Sequence, residues 1–288
     1  MHVFNYSFLH NGIVNTGILN RVANIENLRG STDTVLRKGP VFSALEERAF
    51  TMSVIDSDKI EGIETSEERA ISIIHSDLSP EGDDEKQIAG YRDALRYILE
   101  EHDRIKLDKD EILKIYSILM GHTDIDPVFK KRNNAIVAFD RFGRVIEVHR
   151  TVPADETEKH IDQLIWAFWE ARDDADINKL LLIPCFIMDF LVIHPFIDGN
   201  GRMSRLLTAL LLCQEGYDIS RYVSMDTKIY ASRSDYYDSL NDSEVGWFDN
   251  TSDYSWFLSY FLSQLFLCYR ELDRSLKECQ AADDLQDA

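Results

Sequence analysis

The sequence has no start that reads as a secretion signal and no stretch that reads as a membrane span. Its opening, MHVFNYSFLHNG, lacks a basic region followed by an unbroken apolar run, so a soluble protein without a membrane partner is expected. Cysteine is sparse: Cys185, Cys213, Cys268 and Cys279 lie on apolar helical stretches with no paired spacing. That pattern speaks for free thiols in a reducing, cytoplasmic setting and against disulfides or a zinc site. Basic residues are too few to balance the acidic ones, 31 Lys and Arg against 51 Asp and Glu, leaving a net charge of -20. Such a chain repels nucleic-acid phosphates, so a nucleic-acid partner is disfavoured and any local basic pair must serve a small anion. Internal repeats and long low-complexity segments are also absent, and 288 residues allow one large domain or a core with an appendage.

What the chain does have is one dense loop, His194 to Leu207, HPFIDGNGRMSRLL, set between two apolar stretches, Leu180 to Ile193 and Met203 to Gln214. Both stretches read as buried helices, and Pro195 suits the break between them. Gly199, Asn200 and Gly201 allow successive backbone N–H groups to turn inward as an anion nest, and the helix starting at about Gly201 aims its positive end at the same spot. Arg202 and Arg205 share the first turn, and guanidinium forks match phosphate oxygens. Asp198 offers a hard oxygen of the kind Mg²⁺ takes when phosphates and water supply the rest. His194 is the one nearby group titrating close to neutrality, hence the candidate general base. Each feature alone has an ordinary structural explanation; their concentration on one loop points to phosphate chemistry.

The run from His194 to Arg205 matches, over its full length, the signature HPFx(D/E)GNGRxxR, and the chain thereby resembles the Fic (Fido) proteins. The resemblance implies a mainly α fold, a Fic-type helical core with a short β-hairpin flap over the active site. It also implies transfer of AMP from ATP to a Ser, Thr or Tyr hydroxyl of a protein. On the matching positions His194 would deprotonate the hydroxyl, Phe196 would anchor the loop, and Asp198 would hold Mg²⁺ on the α- and β-phosphates. Asn200 and the amides of Gly199 and Gly201 would cradle phosphate oxygens, with Arg202 and Arg205 on the β- and γ-phosphates. Positive charge at that end suits departure of pyrophosphate. Relatives that transfer a phosphoryl group carry Lys where this chain has Gly201, which favours adenylyl transfer here.

Upstream, Ser57-Asp-Lys-Ile-Glu-Gly62 fits the pattern (S/T)xxxE(G/N) of the family's inhibitory helix. Independently, Phe42 to Ile60 has helical apolar spacing, Gly62 suits the residue that ends a helix, and Glu61 sits at the negative dipole end, where it wants a cation. The resemblance implies that Glu61 pairs with Arg205 and takes the γ-phosphate position; an exposed helix end is the plain alternative. Ala135–Phe139 and Arg144–Val148 read as two strands joined by the turn Asp140–Gly143. The family's flap pairs with an extended target segment, so Ile136, Val137, Ala138 and Phe139 would face the nucleotide; a simple surface hairpin is the alternative. Tyr236 and Tyr237 follow the signature where the family carries adenosine-contacting aromatics, though a tyrosine pair also suits a core. Ser252-Asp253-Tyr254 stands where an Asn is usual, with Asn250 a substitute.

Three regions are expected: 1–105, helical and carrying the inhibitory motif; 106–267, the catalytic core; 268–288, a helix end and an acidic, frayed tail. Ser79–Glu85 reads as a solvated loop. The sequence thus describes an adenylyltransferase autoinhibited by Glu61, with ATP and an unidentified protein, itself included, as partners and a homodimer left open. Alternatives are a hydrolase that removes AMP with Glu61 positioning water, a non-catalytic nucleotide-binding protein, and transfer of another diphosphate-linked group.

Overall fold

The computed structural model describes residues 2–10, 15–38, 42–139 and 145–286, with the side chains of 37–38, 137–139, 145–148 and 282–286 outside that set. The described chain is mainly helical. Its helices are α1 (Thr16–Lys38), α2 (Ser43–Ile60), α3 (Glu67–Ile74), α4 (Gly82–Glu101), α5 (Lys109–Leu119), α6 (Ala154–Asp173), α7 (Lys179–Ile193), α8 (Asn200–Gln214), α9 (Ile219–Tyr222), α10 (Met225–Ala231), α11 (Arg233–Glu244) and α12 (Ser255–Gln286). Between α5 and α6 lies a two-stranded antiparallel hairpin of β1 (Ala135–Phe139) and β2 (Val145–Arg150). Ala135 faces Arg150 and Ile136 faces His149, with an irregularity between Ala138 and Phe139.

The centre of the fold is α7, in which every residue except Lys179 and Leu191 is buried. A helix apolar on all sides needs neighbours on all sides. Here α6, α8, α11 and α12 supply them, while α8 also meets α4, α5 and α9. The surrounding helices bury one stripe each. On α6 it runs through Thr157, Ile161, Leu164, Phe168 and Ala171, and on α4 through Ile88, Tyr91, Leu95 and Ile98. Caps fit the boundaries: Asp108 accepts from the Glu111 N–H at 2.9 Å to start α5, and Asn178 accepts from Leu180 N to start α7. No described helix is long and apolar enough to cross a membrane.

The N-terminal segment is tied into this core by a buried carboxylate. Asp189 on α7 accepts from the Tyr6 hydroxyl at 2.7 Å, the Trp247 indole N–H at 2.7 Å and the Tyr254 hydroxyl. Three donors around one acceptor offset its burial. Residues on both sides of the boundary expected at 105 therefore share one core, and α12 runs unbroken through 267, its backbone helical to Gln286 where a frayed tail was expected.

Two further expectations need correction. Of the loop expected at Ser79–Glu85, the residues from Gly82 onward are the first turn of α4. Asp83, Asp84 and Glu85 complement the helix dipole there, and Glu85 is buried against Arg69, Thr65 and the backbone N–H of Glu81. The second hairpin strand ends at Arg150, two residues beyond Val148, because Arg150 pairs with Ala135. The turn Asp140–Gly143 and Arg144 lie outside the described residues.

Two glycines test the packing. A Cβ on Gly90 of α4 would stand 1.9 Å from the Leu119 carbonyl oxygen at the end of α5, whereas one on Gly30 of α1 would meet nothing within 4 Å. Gly90→Ala should lower unfolding free energy by about 1–3 kcal/mol, as overpacking does. Gly30→Ala should raise it by about 0.5–1 kcal/mol. Urea denaturation of both checks the pair, and equal effects would contradict the close approach of α4 and α5.

Candidate active site

The loop from His194 to Gly199 joins α7 to α8, and its shape follows from a few contacts. Phe196 is fully buried and stacks on Tyr116 with ring centroids 3.6 Å apart, next to Phe129. Asn200 turns both ends of its amide back on the loop, accepting from Phe196 N at 2.9 Å and donating to Phe196 O at 2.8 Å. Its side chain therefore braces the loop. Gly199 has φ 76° at the N-cap of α8, where an added Cβ would also strike Met120. Asp198 accepts from Gly199 N at 2.7 Å through one oxygen and lies 3.5 Å from Arg202 through the other, its side chain about half exposed.

His194 caps α7 in the left-handed region, φ 51° and ψ 60°. Its Nδ1 lies 3.2 Å from the Leu191 carbonyl. A carbonyl can only accept, so Nδ1 carries the hydrogen and Nε2 is left with its lone pair. Burial pushes the imidazole down to about 4, with the Lys130 charge acting the same way. At neutral pH the ring is thus the free base.

The end of α2 reaches the same point. Gly62, φ 78°, donates to Lys59 O and Ile63 N donates to Asp58 O, the pair of bonds that closes a helix through a left-handed glycine. Glu61 is thereby held over the start of α8: an added Cβ on Gly201 would stand 2.2 Å from its Oε1. That oxygen accepts from Arg205 Nη2 at 2.8 Å. Ser57 completes the contact, its hydroxyl accepting from Arg205 Nε at 2.7 Å and its carbonyl from Nη2 at 2.9 Å. The Arg205 guanidinium is buried, which works against its charge, but Glu61 and Asp226 hold it firmly protonated. A carboxylate therefore occupies the anion position at the helix N-terminus.

A cavity of about 770 Å³ opens beside this contact, lined by Glu61, Ile136, His194, Gly201, Tyr237 and Asn241 among others. Tyr236 is buried at its edge, and Tyr237, more open, donates to Ile60 O at 3.3 Å. The hairpin root closes one side through His149, whose Nδ1 is 3.2 Å from Glu244 of α11. The side chains of Val137, Ala138 and Phe139 lie outside the described residues. Ser252, Asp253, Tyr254 and Asn250 are elsewhere: they line a groove with His2, Val3 and residues 5–8, and Asn250 accepts from Val3 N at 2.7 Å. Between α11 and these residues the chain makes a short 3-10 helix, Trp247–Asp249, with left-handed residues at both ends, Gly246 and Asn250.

Two carboxylates escaped the sequence reading. Asp226 of α10 lies 3.5 Å from Arg205 Nε, and Asp58, fully buried, lies 3.8 Å from Arg202. Asp58 and Glu61 are three apart on one helix, a spacing that could have drawn attention to both. Nothing local marks Asp226. Among the described residues neither oxygen of Asp58 has a hydrogen-bond partner, nor do Nε and Nη1 of Arg202. Among the described residues no group of three or more His, Cys, Asp or Glu is arranged to hold a metal.

Residues 106–212 match the model of the Fic/DOC family. It is similar to the protein adenylyltransferase Fic of Nematostella vectensis, 23% identical over 217 residues that cover 72% of this chain and 46% of that protein. The Drosophila virilis protein of the same name is 22% identical over 202 residues, covering 68% of this chain and 40% of the relative. The chain thus spans less than half the length of these curated relatives. Among solved structures, a Fic family protein from Desulfovibrio desulfuricans superposes with a TM-score of 0.73 at 22% identity, covering 90% of this chain and 74% of that one. A Fic domain containing signaling protein from Bacteroides thetaiotaomicron gives 0.75 at 18%, covering 88% and 97%. The fold is the Fic fold.

Burial raises the Asp58 carboxyl from 3.8 to about 7, against the pull of Arg202 and Arg205. A raised folded value means that the stability it contributes is complete below about pH 4 and is lost as pH climbs through 7. Asp58→Asn, uncharged throughout, should gain on the parent over that window by on the order of 2 kcal/mol or more and then hold level. Urea unfolding of both at several pH values reads this difference, and a constant offset between them would contradict it.

Proposed function

We propose that this protein transfers AMP from ATP to a hydroxyl of a protein and that Glu61 restrains the reaction. The observation that carries the proposal is the Glu61 carboxylate on Gly201 and Arg205, an anion held where a nucleotide's phosphates would bind, beside a histidine with a free lone pair. The naming of the similar proteins as adenylyltransferases supports the choice of reaction.

In this reading ATP lies in the cavity with its β- and γ-phosphates toward the first turn of α8. Arg205 and Arg202 would bind them, with the amides of Gly199 and Gly201 on phosphate oxygens. Asp198, a half-exposed carboxylate on the loop, is the residue to hold Mg²⁺, whose charge offsets that of the phosphates. Tyr237 and Ile136 line the space left for the nucleoside. An extended acceptor segment adds to the hairpin edge, which brings its hydroxyl to His194. The oxygen attacks the α-phosphorus, its proton passes to Nε2, and pyrophosphate leaves with the bonding pair. With Glu61 on Arg205 the γ-phosphate cannot settle. The free thiols fit a cytoplasmic setting.

The test uses ATP labelled at the α-phosphate. Glu61→Gly should raise labelling of protein, itself included, by about ten-fold or more, equivalent to roughly 1.4 kcal/mol. His194→Ala in that background should lose about two to four orders of magnitude. Unchanged labelling in Glu61→Gly, or labelling that survives loss of His194, overturns the proposal. Release of AMP from pre-labelled protein by the wild type would indicate the hydrolase instead.

Because His194 is depressed to about 4, it stays deprotonated as pH falls from 8 toward 5. The rate of the Glu61→Gly variant should therefore show no acid limb above about pH 5. A limb near 6.5 would place His194 in an open, ordinary environment.

A further inference from the structure

Lys130, between α5 and the hairpin, is buried, and among the described residues no carboxylate pairs with it. Its Nζ donates to three oxygens: Ile193 O at 3.0 Å, Asn134 Oδ1 at 2.8 Å and Thr151 Oγ1 at 3.2 Å. A buried lysine costs desolvation, and burial pushes this ammonium down to about 8. A methionine would fill the same space without that cost, so the charge and its donors must serve a geometry.

The partners define the geometry. Asn134 directly precedes β1 and Thr151 directly follows β2, so together they close the open end of the hairpin, and the Thr151 hydroxyl lies 2.9 Å from Asn134 O and 2.7 Å from Asn134 Oδ1. On the other side stand four successive backbone carbonyls, running from the last residue of α7 into the loop that follows it. Ile193 O accepts from Lys130 Nζ, Pro195 O from Lys130 N at 2.8 Å, and His194 O and Phe196 O from Asn134 Nδ2 at 3.3 and 2.8 Å. The middle of this stretch is His194, held at φ 51°, a conformation a non-glycine residue keeps only when its surroundings enforce it.

We propose that Lys130, with Asn134 and Thr151, is a positioning clamp that fixes the flap hairpin relative to the backbone carrying His194. The proposal rests on the transferase reading, in which the hairpin carries the acceptor hydroxyl and His194 takes its proton. The two must stay in register, since a displacement of about 1 Å between reacting groups can cost on the order of a hundred-fold in rate. Lys130 touches no reacting atom in this account. It acts through the backbone of the loop and through the charge it places near the imidazole.

The test substitutes Lys130→Met and, separately, Thr151→Val, which removes the hydroxyl but touches none of the four loop carbonyls. Amide hydrogen exchange on the full chain reads the clamp without catalysis. In both variants the hairpin strands and residues 193–200 should lose protection together while α6 and α12 keep theirs. Exchange that is unchanged in Thr151→Val, or that rises in the hairpin alone, overturns the clamp, and this outcome decides the matter even if Lys130→Met does not fold. In the Glu61→Gly background, self-labelling at saturating Mg-ATP should fall by about ten-fold while the KM for ATP stays within about two-fold. The acid limb in Lys130→Met should move to higher pH. Equal losses in rate and ATP affinity would mark a general structural role and also overturn the proposal. A Glu61→Gly parent that labels nothing refutes the transferase reading and leaves hydrogen exchange to decide the clamp.

Discussion

Arg205 is a guanidinium buried in the first turns of α8, and the site is organised around its need for an anion. A helix N-terminus already carries positive potential, so a cation there is doubly unfavourable without an answering charge. The chain supplies one from the core, Asp226, and one from a helix more than a hundred residues away, Glu61. The first is built into the floor. The second stands at the helix end fixed by Gly62, on the face that a nucleotide would take. In the proposed reading, stability and restraint are thus the same contact: the anion that lets Arg205 be buried also covers Gly201.

The remaining geometry keeps that position exact enough for chemistry. The apolar α7 cannot shift without disturbing helices on all sides, and Phe196 wedges the loop against Tyr116. Asp189 at the centre of α7 binds the N-terminal segment and the turn before α12 to the same helix. Interiors packed at this density transmit strain and do not yield to it. His194 can accordingly be held in a left-handed conformation with its Nδ1 committed to the Leu191 carbonyl, at the edge of the cavity.

Much of this was readable in advance because the chemistry is local in sequence. His194, the glycines and both arginines fall within one short stretch, and Gly62 marks a helix end by its residue type alone. What could not be read depends on packing between distant elements. Asp226 meets Arg205 only because α10 lies against α2, and no spacing along the chain encodes that. The bracing of the loop by Asn200, whose amide both accepts from and donates to Phe196, is also a matter of geometry that residue type does not reveal. The surroundings of Ser252–Tyr254, a groove shared with the N-terminal segment, likewise depend on contacts between the two ends of the chain. Ser79–Glu85 misled for a simpler reason: an acidic first helical turn and a solvated loop have the same composition, and only the Arg69 contact separates them.

The central claim is that the Glu61 carboxylate stands in for a phosphate on Arg205 and the start of α8. Calorimetric titration of Mg-ATP into the wild type and into Glu61→Gln tests it most directly, since the amide keeps the size of the side chain and removes its charge. The account predicts that Glu61→Gln binds at least about ten-fold more tightly, a gain of roughly 1.4 kcal/mol, at unchanged thermal stability or somewhat below it. Equal affinity in the two proteins would mean that Glu61 and the nucleotide do not compete for the same charge, and the site would have to be read anew.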